Sequence, residues 1–296
     1  MPFFGEISAL LTASLWGGTS IAFSAAIRRV GSVQVNVTRM ILASIFLSVT
    51  VYLLGFPTDV SAGQVVFLAL SAFAGLVLGD SFLFKAYQEI GPRIAMLVMS
   101  TAPAISAVLA YAFLGEVLSV TAVAGILITL GGIAIVVFDR QHGQSPVHRV
   151  KSVGFLFAFL GAAGQAAGLI LAKQAFLEGP LHPMVATMVR IVIAICLLGP
   201  AMMFAGLYRN PFRTFSRDRK AFALTALGAL LGPYLGITGS LIAVSTTQIG
   251  IAATLMATTP IVMLPMVRYI TKEALTWKAV VGALVAVTGV ALLFLR

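Results

Sequence analysis

The sequence predicts an all-α integral membrane protein in which ten transmembrane helices form two inverted five-helix repeats. Three observations predict it. Hydrophobic residues make up 60% of the chain and charged residues only 9%. Soluble domains carry about 25% charged residues, so this composition could not cover a water-exposed surface. Residues 7–27, 94–115 and 221–267 contain no Asp, Glu, Lys or Arg, and a span needs about 20 mostly apolar residues to cross the hydrocarbon. Finally, the stretch 93–138 is written twice: moved by 157 positions onto 250–295, it keeps thirteen identities in 46 positions. A repeat of that length marks two related halves.

In chain order the predicted helices are 5–27, 33–54, 63–88, 92–114, 119–138, 152–177, 183–207, 219–243, 247–270 and 275–295. The first apolar run lacks the basic flank of a signal peptide and is long enough to span, so it reads as a retained helix. Helices 3 and 8 carry small residues every fourth position, Ser71, Gly75 and Gly79 matching Gly228, Gly232 and Gly236; such rows let helix backbones approach closely in lipid. Helices 4 and 9 hold a central T-x-P, at Thr101 to Pro103 and Thr258 to Pro260. Helices 5 and 10 carry glycines seven apart, Gly125 and Gly132 against Gly282 and Gly289. The long polar linkers are 139–151 and 208–220. The first divides the chain into repeats 1–138 and 152–296.

Five is odd, so a five-helix unit ends on the side opposite its start and its second copy is inserted upside down. Fifteen of the nineteen Lys and Arg residues fall on the side of the 1–2, 3–4, 5–6, 7–8 and 9–10 connections, and two, Lys173 and Arg296, on the other. That bias predicts a cytoplasmic 139–151 linker and both termini outside. It also accounts for the net charge of +10 without nucleic acid. Partners are then the lipid bilayer and a small-molecule substrate, and two fused repeats can work as a monomer.

These features resemble the EamA-type branch of the drug/metabolite transporter superfamily. The resemblance rests on the paired five-helix repeats, the T-x-P helices, the turn Leu114-Gly115-Glu116 with its echo Thr271-Lys272-Glu273, and the glycine-marked last helix of each half. It implies a secondary transporter of the bacterial inner membrane, with amino-acid export as the branch's leading activity. It also implies that helices 1–4 and 6–9 surround a central cavity while helices 5 and 10 lie outside.

Ionisable groups within spans are functional candidates. Arg39 and Asp80 lie at similar depth, about 9 and 12 Å from the basic side at 1.5 Å per residue. An ion pair serving as a gate latch fits them; Asp80 handling substrate or protons, or lying at a lipid edge, are the alternatives. Arg190 repeats Arg39, but Ile237 stands where the repeat would place a second Asp. Arg190 therefore either snorkels to an interface or attracts an anionic group such as a carboxylate. Trp16, Gln165, Met99, Thr101, Met256, Thr258 and Tyr234 fall at mid-membrane depth and are candidates for the cavity wall. Interhelical bonding is the alternative for the polar ones, and Thr101 could bond back within its own helix. Pro103, Pro260 and Pro233 each remove a helical hydrogen bond and are hinge candidates.

Other classes fit less well. No His, Cys, Asp or Glu set has metal-ligand spacing, so no metal or cofactor is expected. The single Cys196 reads as packing. A membrane enzyme would have Asp80 alone as its base, and a channel would show charge rings or a carbonyl filter. Within transport, drug or lipophilic-cation efflux by proton antiport is the alternative to facilitated export.

Overall fold

The computed structural model describes residues 3–99, 101–139, 152–259, 261–262, 266 and 276–294. The linker residues 140–151, the echo turn at 271–273 and the hinge candidate Pro260 lie outside them. Among the described residues the fold is helical throughout. The elements are α1 (Phe4–Val30), α2 (Ser32–Leu54), α3 (Ala62–Ser71), a π-helical turn (Ala72–Gly79), α4 (Asp80–Met99), α5 (Ala102–Leu114), α6 (Val120–Asp139), α7 (Ser152–Leu177), α8 (Pro183–Phe204), α9 (Pro211–Arg217), α10 (Arg219–Ala229), a second π-helical turn (Leu230–Gly236), α11 (Ile237–Thr246), α12 (Ile249–Met256) and α13 (Trp277–Phe294). Counting each π-linked run as one, and setting the short α9 aside, these make ten segments.

Local chemistry explains the ends. Gly31, Gly55 and Gly115 stop α1, α2 and α5 at positive φ, which glycine adopts without strain. Ser61 and Gln64 form a reciprocal capping box at the start of α3.

Three boundaries differ from the prediction. Helical backbone continues through residues 89–91, and the first break falls inside predicted helix 4, at Thr101. A matching break interrupts predicted helix 9 at Ala257 and Thr258. The cause in the first repeat is Pro103, which cannot donate to Met99, four residues back, so the helix ends there. Finally, the 208–220 linker contains α9, started by Pro211 with the Asn210 side chain accepting from Arg213 N.

The inversion of the halves is visible in their packing. α6 and α13 are equivalent helices and run antiparallel. A Cβ on Gly132 would stand 2.6 Å from Gly282 O, and one on Gly289 would stand 2.8 Å from Gly125 O. The glycines seven apart thus form a self-complementary contact. In the same way α3 and α4 pack against α7, and α10 and α11 against α1. Each half's third helix lies on the other half's first.

Both ends of the bundle are tied across the halves. At the end with few cations, Lys173 Nζ lies 2.7 Å from Glu116 Oε1 and donates to Thr247 O, while Ile249 N donates to Glu116 Oε2 at 2.9 Å. At the basic end Arg29 Nε bonds Asp218 Oδ2 at 2.7 Å, and Gln34 and Arg209 exchange two hydrogen bonds.

Replacing Gly132 by Leu would force the α6–α13 backbones apart. We expect a cost at or above the roughly 1–3 kcal/mol of an overpacked core, read as a lower melting temperature. Gly131→Leu, whose Cβ meets nothing within 4 Å, should leave it unchanged.

Candidate functional site: a central cavity where two arginines share one acid

Glycines set the site. Gly75 and Gly79 of the first π turn press on Gly168 and Gly164 of α7, so closely that a Cβ on Gly164 would stand 2.8 Å from Gly79 Cα. Ser71 Oγ adds a bond to Gly168 O at 2.5 Å. This contact carries the next residues along with it. Gln165 follows Gly164 and Asp80 follows Gly79, and Gln165 Nε2 donates to Asp80 Oδ1 at 2.7 Å.

The π turn itself has a twin. Asp80 N donates to Gly75 O, and Ile237 N donates to Gly232 O; both bonds reach back five residues. π turns widen a helix locally and recur at functional sites. Here they place Asp80 and Ile237 at equivalent points on one cavity.

That cavity has a volume of about 200 Å³. Residues of predicted helices 1–4 and 6–9 line it, and among the described residues none from α6 or α13 does. Arg39 and Asp80 meet on its wall, Nη2 to Oδ2 at 2.5 Å, both only 6% exposed. Arg39 Nε also donates to Asn36 Oδ1 at 2.9 Å, and its guanidinium lies over Phe84 and Phe23, 4.7 and 5.3 Å from the ring centroids. Both carboxylate oxygens of Asp80 therefore have donors, and the guanidinium is held on several sides.

Arg190 lines the same cavity and is 2% exposed. Its Nη2 lies over Gly75. Its Nε is buried without a hydrogen-bond partner; it feels the charge of Asp80 across the cavity, but both oxygens of that carboxylate accept from Arg39 and Gln165. Ile237, the repeat's counterpart of Asp80, is apolar and cannot pair with it.

Of the other candidates, Trp16, Gln165, Met99, Met256, Pro103 and Pro233 line the cavity. Thr101, Thr258 and Tyr234 do not. Thr101 Oγ1 donates to Val98 O and Thr258 Oγ1 to Leu255 O, each at 2.7 Å; both hydroxyls close the helix breaks described above. Tyr234 turns toward α2, with its ring edge-on to Phe46 and its hydroxyl 2.9 Å from Thr50 Oγ1. Pro103 lies in the first turn of α5, just past the break it imposes, so no bond within α5 itself is lost. Pro233 lies within the second π turn.

Sequence reasoning missed Tyr87, Phe23, Phe84 and Ser106, which also line the cavity. Apolar and aromatic residues at helical spacing give no sign of which face they take. The signal available for Phe23 and Phe84 was a buried arginine's need for a polarisable shell.

The model of the EamA-like transporter family matches residues 3–138 and 152–295. A solved crystal structure superposes with a TM-score of 0.79 over 99% of this chain and 96% of that one, at 17% identity; it shows the fold. A search of curated proteins finds no match.

Replacing Asp80 by Asn would leave Arg39 buried without its counterion. Breaking such a pair costs about 3–5 kcal/mol, so the variant should unfold at a clearly lower temperature. The double variant Arg39→Met with Asp80→Leu should recover most of the loss. If Asp80→Asn melts like the parent, the pair does not hold the site.

Proposed function

We propose, on the premise that the chain belongs to the EamA-like transporter family, that this membrane transporter moves small metabolites combining one carboxylate with an apolar body. Amino acids with neutral or aromatic side chains are its first candidates. The observation that carries this reading is Arg190: a buried guanidinium on the wall of a central cavity, its Nε unbonded and its one nearby acid, Asp80, already accepting from Arg39 and Gln165. A group that stays charged at any physiological pH, and that shares Asp80 with a second arginine, gains a full counterion there from an anionic ligand. The volume, below the roughly 300–1,000 Å³ of pockets for larger ligands, suits an amino acid and not a nucleotide sugar.

Transport proceeds by alternating access, with the two inverted halves rocking about the cavity. The breaks at Thr101 and Thr258 and the π turn around Pro233 are the hinges; Pro260 completes the set by symmetry. The Glu116–Lys173 contact closes one end and must open for release. By the Lys and Arg bias that end faces outward from the bacterial inner membrane, and export is the direction. Facilitated export is favoured over drug/proton antiport because the cavity's acid, Asp80, is committed to Arg39 and Gln165.

Proteoliposomes of the purified protein test this with labelled amino acids, a lipophilic cation and a sugar phosphate, with and without a pH gradient. Saturable amino-acid flux that needs no gradient is expected. Arg190→Gln should reduce it roughly tenfold or more, the value of a lost charge-assisted bond. Gradient-dependent flux of the cation alone would overturn the reading.

A further inference from the structure

The charges and unfilled bonds of the cavity narrow the cargo further. Among the described residues its ionisable wall residues are Arg39, Arg190, Asp80 and Tyr87. With the tyrosine neutral, the charges sum to one positive. Asp80 is the acid of the set, and its two oxygens already accept from Arg39 and Gln165. The hydroxyls of Thr19, Ser20, Ser240 and Thr259 each donate to a backbone carbonyl three or four residues back. Two polar atoms of the lining are buried without a partner, Arg190 Nε and Ser106 Oγ. The first can only donate, and the second can donate through its proton.

We infer that the cavity prefers carboxylic acids that lack an ammonium group: monoanions such as 2-oxo acids or aryl-alkyl acids with an apolar body. This rests on the carboxylate reading of Arg190 and adds to it. A carboxylate neutralises the excess positive charge and accepts from the orphan guanidinium, and a 2-oxo oxygen adds an acceptor for Ser106. The ammonium of an amino acid meets no free countercharge. It either stays unpaired beside two arginines, at a large desolvation cost, or takes Asp80 from Arg39 and strands that guanidinium instead. The apolar wall formed by Trp16, Leu169, Ile237 and Met256 receives the hydrocarbon body either way.

The test is calorimetric titration of the full-length protein in detergent with three ligands sharing one body: phenylalanine, phenylpyruvate and 3-phenylpropionate. Both deaminated acids are expected to bind roughly tenfold or more tightly than the amino acid, the scale of one lost charge-assisted hydrogen bond. The preference should persist in Arg190→Lys, which keeps the charge, and shrink to less than about threefold in Arg190→Gln. Phenylalanine binding as well as the acids, or a preference that survives Arg190→Gln, overturns this inference and leaves the carboxylate reading standing. Binding of none of the three by the wild-type protein overturns both.

Discussion

A guanidinium cannot shed its charge in a bilayer, and this chain buries two of them at equivalent places in its halves. Arg39 is satisfied by Asp80, Asn36 and two aromatic faces. Arg190 is not. Everything central in the structure bears on that difference. The first half commits the acid on the cavity wall to Arg39, and Ile237 leaves the second half without an equivalent. A symmetric scaffold thus holds an asymmetric site, with a neutralised wall and an open cation facing the same cavity.

The close packing of backbones makes this geometry possible. In lipid, helices gain little from hydrophobic burial against each other, so small residues and direct contact carry association. Gly75, Gly79, Gly164 and Gly168 bring two helices into backbone contact, and the neighbouring Asp80 and Gln165 are joined as a result. In the other half Gly232 and Gly236 admit the larger Thr19 and Trp16, equivalents on α1 of the α7 residues near Asp80. The same groove is filled by a polar pair in one half and by an indole in the other. The π turns, which reach Asp80 and Ile237 through matching bonds, set both residues at one level.

Much of the architecture was legible in the sequence because it is written as period and repetition. Charge-free length marks the spans, the 157-residue offset marks the halves, and odd parity marks the inversion that α6 and α13 display. The depths of Arg39 and Asp80 could be matched by counting residues. What stayed hidden depends on local hydrogen-bond choices and on which way a side chain turns. A threonine before a proline looks like a cavity hydroxyl, yet Thr101 and Thr258 both fold back to cap carbonyls beside a break. Tyr234 has the depth of a cavity residue but the orientation of an α2 contact. No simple pattern distinguishes a π turn from an α turn, so neither wide turn was foreseen, and Tyr87 and Ser106 sit in runs that read as plain helix.

The account turns on Arg190 lacking an acid of its own, and the most direct measurement supplies one. Ile237→Asp places an acid at the position equivalent to Asp80, within the cavity that Arg190 lines. Titration of this variant with 3-phenylpropionate should show binding lost, while the protein melts at or above the parent's temperature because both arginines are now paired. Undiminished carboxylate binding in a folded Ile237→Asp variant would contradict the account.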